Sequence, residues 1–337
     1  MLPMMKKCSL RKLLSFAACA LYMTFAGCGG SQDENAEGPG SSGEGESKGV
    51  IAYSPQTLSN PFFGIIGDNI TEEAKKHGYE TMIVDPNLDV KKQSDQIDDF
   101  ISKGVTAMII VPCDRISVGP AIQEANKAGI PVFTVDAQCA AEGVDIVSHV
   151  GTDNFQGGEL AGQAMIELLG ETGGEVLVLD LKKANSCVLR VDGFKKAINA
   201  HNEINPDAQI KIVAELPCEG ERTVGYNSTA DALQAHPELD AIFAINDPAA
   251  EGAYTAVSEK QKTDSIKIIG FDGQKSAKEA IKKGQIYADP IQFPDKMGVM
   301  IVQKIVDHLA GKEVEKTVLI PTALYKKEDA DKDPELQ

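Results

Sequence analysis

The sequence predicts an α/β protein of two doubly wound parallel-sheet lobes, and three observations carry that expectation. Continuous apolar runs of strand length recur along the chain, at Ala107–Val111, Val176–Leu179, Ala241–Ile245 and Ile268–Phe271. Strands covered by helices on both faces read this way, because neither side of the pleat meets water. Between the runs lie segments of helical period. About eleven such strands in roughly 280 residues exceed one compact unit of the commonest domain size, so two sheets are expected.

The chain opens with a processing segment rather than structure. Lys6, Lys7, Arg11 and Lys12 form a positive region, and Leu13–Phe25 then run mostly apolar. That run is about 13 residues, short of the ~20 a membrane-spanning helix needs. Phe25-Ala26-Gly27-Cys28 follows and resembles a bacterial lipoprotein cleavage site, with Phe25 where Leu is usual. The resemblance implies a signal peptide over 1–27 and lipidation of the Cys28 thiol; the alternative is a plain cleaved leader with an incidental Cys. Residues 28–48 are rich in Gly, Ser, Glu and Asp. Such a stretch cannot offset its ordering entropy and is expected to be a disordered tether.

From residue 49 the β-α alternation begins. Ile66, Ile70 and Ala74 share one helical stripe, as do Val90, Ile97, Phe100 and Ile101, and as do Leu160, Ala164 and Leu168. Asn60-Pro61 reads as an N-cap followed by Pro at the first helical position. Gly78, Gly104 and Gly129 stand where helices should end.

Composition excludes some functions. The formal charge is −17, and removing residues 1–27, which carry four positive charges and no acid, takes it to −21. No basic cluster follows the leader, and nucleic-acid binding requires one. The five His residues are scattered and no Cys pair has metal-ligand spacing, so no metal and no cofactor are expected. Outside the leader and Cys28 four cysteines remain, Cys113, Cys139, Cys187 and Cys218. Each follows a strand end, two in each lobe, so pairs 113–139 and 187–218 would stiffen the cleft rims and leave the hinge free. The alternative is four unpaired buried thiols.

Open α/β sheets bind ligands at the carboxyl ends of their strands. There this sequence places Asn60, Phe62 and Phe63 after the first strand, Asp136, Arg190, Asn246-Asp247, Asp272 and Gln292. Carboxylates, amides and a guanidinium suit a polyhydroxylated ligand, because a hydroxyl both donates and accepts. Aromatic rings suit the apolar C–H face of a sugar. Each residue also has a plainer reading: Asn60, Asp153 and Asp247 as helix caps, Phe62 or Phe63 as core, Asp136 and Asp272 as turn residues, Arg190 as a surface side chain, Gln292 as a hinge.

The segments Leu58–Phe63, Ile130–Asp136, Val150–Asn154, Arg190–Phe194, Ala244–Asp247, Gly270–Gly273 and Gln292–Asp295 are similar, in order and spacing, to the ribose-binding group of periplasmic sugar-binding proteins. The resemblance spans residues 49–325. It implies a type I periplasmic binding fold with a three-crossing hinge, an N-terminal lobe of 49–152 plus 292–318, and a C-terminal lobe of 153–291 plus 319–328. It assigns sugar contacts to Asn60, Phe62, Phe63, Asp136, Arg190, Asn246, Asp272 and Gln292. Two features depart from the pattern: Ala137 stands where ribose binders carry Arg, and Cys218-Glu-Gly-Glu221 offers Gly220 where they carry an aromatic. A different pentose, a hexose or a polyol is therefore expected in place of ribose.

The implied function is an exported, lipid-anchored solute-binding protein, periplasmic or otherwise in the cell envelope. It would close around a small sugar or polyol and deliver it to an ABC transporter permease. The alternative is a sensor that presents the sugar to a chemoreceptor or histidine kinase. An enzyme is not expected, because no catalytic motif accompanies the carboxylates of Asp136 and Asp272.

Overall fold

The computed structural model describes residues 47–337. The leader, Cys28 and all but the last two residues of the tether lie outside the described residues. Among the described residues twelve strands form two six-stranded sheets. The first contains β1 (Val50–Ser54), β2 (Glu80–Ile83), β3 (Ala107–Ile110), β4 (Val132–Val135), β5 (His149–Thr152) and β11 (Thr317–Ile320), in the order β11-β5-β4-β3-β1-β2. All its pairings are parallel. The second contains β6 (Gly174–Asp180), β7 (Ile210–Pro217), β8 (Leu239–Ala244), β9 (Lys267–Ile269), β10 (Ala288–Ile291) and β12 (Ala323–Lys326), in the order β12-β10-β9-β8-β6-β7. Only β12 runs antiparallel to its neighbour.

Helices α1 (Pro61–Lys76), α2 (Val90–Lys103), α3 (Gly119–Lys127) and α9 (Pro294–Leu309) cover the first sheet. On the second sheet lie α4 (Asn154–Leu169), α5 (Asn185–Ile204), α6 (Arg222–Ala235), α7 (Asp247–Glu259), α8 (Lys275–Lys282) and the short α10 (Lys327–Ala330). The strand runs are apolar throughout because successive residues serve opposite faces. In β3, Ala107 and Ile109 join the core under α1 and α9, while Met108 and Ile110 join the one under α2 and α3. At the entry to α1, Asn60 Oδ1 accepts from the Phe62 N–H at 3.0 Å and Pro61 opens the helix.

The chain passes between the sheets after β5, after β10 and between β11 and β12. The last passage corrects the expected boundary at 318. Leu319 and Ile320 pair with Gly151 and Thr152 in the first sheet, so the crossing falls at 321–322. The chain beyond 328 also packs on the second lobe, where Lys278 bridges Asp333 at 3.2 Å and Glu335 at 2.9 Å.

The buried face of α4 also differs from expectation. Leu160 and Leu168 are only half-buried, while Gly157, Gly158, Ala161, Ala164 and Met165 are buried. Small residues let α5 approach closely: a Cβ on Gly158 would lie 2.1 Å from the Arg190 carbonyl oxygen. The backbone of α5 is thereby set at the depth that brings Arg190 to the sheet ends.

The cysteine pairs are not formed, and all four thiols are free. The Cys113 thiol points to the Gln56 carbonyl at 3.6 Å, whereas Cys139 packs against the core on the α2–α3 side. Cys187 and Cys218 share one core, but the Cys218 thiol is turned to the Asp180 carbonyl at 3.2 Å. Burial pushes the Cys113 thiol up to about 12 and that of Cys187 to about 11.

Candidate functional site

A cavity of about 510 Å³ lies between the lobes at the carboxyl ends of both sheets. All eight residues singled out from the sequence line it: Asn60, Phe62, Phe63 and Asp136 from the first lobe, Arg190, Asn246 and Asp272 from the second, and Gln292 from the second crossing. The volume is within the range usual for small-molecule sites.

Arg190 is the centre of the polar network. Its Nε donates to Asn154 Oδ1 at 2.8 Å, and Nη1 donates to the Ile245 carbonyl at 2.6 Å and to Asp272 Oδ1 at 3.0 Å. The guanidinium lies 3.9 Å from the Phe271 ring centroid. Both members of the Arg190–Asp272 pair have side chains only 4% exposed, so the surface reading of Arg190 is wrong. Nη2 makes no hydrogen bond among the described residues. Gln292 extends the network across the hinge: its Nε2 donates to Asp272 Oδ1 at 2.6 Å and its Oε1 accepts from Thr152 Oγ1 at 2.6 Å. It is both a hinge residue and a cavity residue.

Asp136 faces this network from the first lobe. Its backbone sits in the left-handed region at φ 61°, directly after β4. The side chain is buried, and Oδ1 has no hydrogen-bond donor among the described residues. Ala137, where the ribose-binder pattern has Arg, is buried in the core under α1 and α9 and supplies no polar group. Burial pushes the Asp136 carboxyl up to about 7, against the pull of Arg190 and with help from Asp272. Asp272 is raised too, by burial, with Arg190 and Gln292 opposing.

Phe62 and Phe63 satisfy both of their readings. They belong to the first-lobe core, are 3% and 5% exposed, and meet edge to face at 5.4 Å while lining the cavity. Asn60 and Asn246 likewise cap helices and line the site, Asn246 Oδ1 accepting from Ala249 N at 3.1 Å and Nδ2 donating to the Gly220 carbonyl at 3.0 Å. Asp153 caps α4 through Gln156 N at 3.1 Å. Asp247 is not the cap: it is the first residue of α7, and its Oδ2 accepts from Gln274 N at 2.7 Å. The cavity wall at Gly220 is backbone, at φ 70°.

Three groups escaped the sequence reading. Asn154 orients Arg190 and sits inside one of the matched segments, but had no assigned role. Arg115, Gln138, Lys183 and Asn185 join the lobes at the cavity mouth. There Arg115 N donates to the Lys183 carbonyl at 2.8 Å, Arg115 Nη1 to Asn185 Oδ1 at 3.2 Å, and Asn185 Nδ2 to Gln138 Oε1 at 3.4 Å. No local pattern marks such a contact. Asp289, a lone carboxylate inside an apolar strand, was the one legible signal. Among the described residues no cluster of three or more His, Cys, Asp or Glu could hold a metal, and no helix is long and apolar enough to cross a membrane.

Comparison with known proteins agrees with this geometry. The chain is 36% identical over 276 residues to the ribose import binding protein RbsB of Bacillus subtilis, covering 82% of this chain and 86% of that protein. Its fold matches an ABC transporter periplasmic solute-binding protein from Actinobacillus succinogenes with bound D-allose, at TM-score 0.76 and 29% identity, covering 85% of this chain and 100% of that one. It also matches an ABC transporter solute-binding protein from Bacillus halodurans with bound myo-inositol, at TM-score 0.75 and 26% identity over 86% and 98%. The family model described as periplasmic binding protein domain matches residues 51–313. With two parallel-sheet lobes, three crossings and a polar cleft between them, this chain belongs to the periplasmic binding protein family.

Proposed function

We propose that this protein captures a small neutral sugar or polyol between its lobes and delivers it, in the closed form, to the permease of an ABC importer. The observation that carries the reading is the unpaired Asp136 Oδ1 facing the Arg190–Asp272–Gln292 network across one cavity. A ligand hydroxyl can donate to Asp136 and accept from Arg190 Nη2, and the apolar face of a ring can pack on Phe62 and Phe63. Hydrogen bonds to charged groups contribute about 1.5–3 kcal/mol each, so a few of them exceed the ~8 kcal/mol of micromolar affinity after closure. An anionic sugar acid is disfavoured, because Arg190, the buried cation of the cavity, already has Asp272 as its counter-charge.

Ala137 and Gly220 withdraw a cationic donor and a stacking face from the pattern of ribose binders. They leave room and a different polarity for another pentose, a hexose or a polyol. The relatives are import binding proteins, which supports a transport role without chemistry and gives nothing to the sensor alternative. Export and anchoring through Cys28 complete the proposal.

A thermal-shift panel of D-ribose, other pentoses, D-allose, other hexoses and myo-inositol tests it. A rise in melting temperature with at least one hexose, polyol or non-ribose pentose is expected. No shift with any sugar would overturn the reading, and ribose as the tightest ligand would overturn the specificity.

A further inference from the structure

Behind the cavity, on its second-lobe side, lies a carboxyl pair that sugar contact does not use. Asp289, on β10, is 0% exposed and Asp247, at the start of α7, is 1% exposed. The space beside Gly270 touches both the Asp289 carboxyl and Ala250 in the first turn of α7, the turn that Asp247 opens, so the two carboxyls face each other there. Both Asp289 oxygens and Asp247 Oδ1 lack a donor among the described residues. Gly270 of β9 leaves the space: a Cβ there would lie 2.5 Å from Asp289 Oδ1.

Among the described residues no cation answers this pair. From the β9–α8 loop the group that faces it is Asp272, itself committed to Arg190. From β12 the residue opposite Asp289 is Tyr325, whose hydroxyl bonds Asp333 at 2.8 Å. The carboxylates of α4, which packs on β10, are held elsewhere: Glu159 by Lys196 and Glu167 by Lys326. Two carboxylates in contact without a counter-charge cannot both ionise.

The pair is tied to the site through backbone. Asp247 Oδ2 accepts from Gln274 N at 2.7 Å, two residues beyond Asp272. Asp272 needs such an anchor: it holds φ 114°, a strained value for a residue with a side chain. Its other backbone ties run to β10 and the residue just past it, from Asp272 N to the Pro290 carbonyl at 3.1 Å and from Gln292 N to the Asp272 carbonyl at 2.8 Å. The Asp272 turn therefore hangs between α7 and β10, and the carboxyl pair joins those two elements.

We propose that Asp247 and Asp289 share one buried proton at neutral pH and that this bond is the clamp that positions Asp272 in the cavity. The titration behaviour agrees: burial lifts Asp289 to about 7 and Asp247 well above the usual carboxylate range. Removing the last proton sets two like charges against each other, parts α7 from β10, and moves Asp272. The effect on binding rests on the sugar-capture reading; the clamp itself does not.

The test uses the full chain, its Asp289→Asn and Asp289→Ala variants, and carboxyl 13C NMR between about pH 4 and 10. One carboxyl of the pair is expected to stay protonated through neutrality. The Asp272 signal should move in the alkaline range in the wild type, stay still in Asp289→Asn, whose amide still donates to Asp247, and be displaced at every pH in Asp289→Ala. Calorimetry with D-ribose, D-allose and myo-inositol reads the consequence. Affinity should fall about tenfold or more from about pH 8 to 10 in the wild type and change less than about threefold in Asp289→Asn. Both carboxyls ionising near the usual value, or parallel loss of affinity in the wild type and Asp289→Asn, would overturn the clamp. Absence of binding by all three probes would count against their capture at this site, while the Asp272 signal still decides the clamp.

Discussion

Arg115 and Asn185 meet across the mouth of the cavity, the guanidinium donating to the side-chain carbonyl at 3.2 Å beside the 2.8 Å bond from Arg115 N to the Lys183 carbonyl. One partner belongs to the β3–α3 loop of the first lobe and the other to the start of α5 in the second. These bonds exist only when the lips touch, so they favour the closed form by what they contribute there and nowhere else. Arg115→Ala leaves the backbone bond and removes the side-chain one. At about 0.5–1.5 kcal/mol, that is roughly a two- to tenfold loss of sugar affinity. Small-angle scattering of the sugar-free protein should show a larger radius of gyration in the variant; unchanged affinity and radius would refute the latch.

Arg190 and Asp272 are each other's counter-charge in a buried site, so removing one strands the other. Arg190→Ala should abolish sugar binding and cost about 3–5 kcal/mol in denaturant unfolding. Asp272→Asn keeps an acceptor for Arg190 Nη1 and should lose binding with a smaller stability cost than Asp272→Ala. Equal costs for the two substitutions would show that, once the charge of Asp272 is gone, the retained acceptor does nothing for Arg190.

The sugar-free protein should become less stable as pH rises from about 4 to 7. Asp136 holds its proton in the folded state up to about 7. In the unfolded chain an Asp loses it near 3.9, so across this window the folded state binds more protons and stability falls with rising pH. Asp289, also at about 7, acts in the same direction. Asp136→Asn should raise the melting temperature at pH 7.5 and abolish sugar binding. A melting temperature that climbs between pH 5 and 7 in the wild type, under fixed salt, would contradict both assignments.

The contact of α4 with α5 predicts a contrast between two glycines. Gly158→Ala puts a methyl group against the Arg190 carbonyl, a backbone atom that cannot step aside. Overpacking of this kind costs about 1–3 kcal/mol, and here it also displaces Arg190, so affinity and stability should fall together. In Gly64→Ala the added Cβ meets nothing within 4 Å, and the change should stabilise α1 by about 0.5–1 kcal/mol without altering binding. Chemical denaturation and calorimetry on both variants separate the cases.

Local chemistry alone determined much of this protein. The apolar runs require strands buried on both faces, and β3 shows why, with alternate residues feeding two cores. Asn60-Pro61 fixed the start of α1, and the residues singled out after strand ends all line the cavity, because a parallel sheet delivers its strand ends to one edge. Tertiary structure decided what depends on partners distant in sequence. The buried face of α4 is its glycine and alanine side because α5 approaches there, which its own leucine spacing does not reveal. Cys113 and Cys139 each follow a strand end, yet the Cys113 thiol points to the Gln56 carbonyl while Cys139 packs on the α2–α3 core, and no disulfide joins them. Arg115 meets Asn185, and Asp247 meets Asp289, only because the chain crosses between lobes or strands lying far apart in sequence. Periodicity reports which face of an element is apolar; the direction of a single side chain and the charge beside it are set by packing, and only the folded chain contains them.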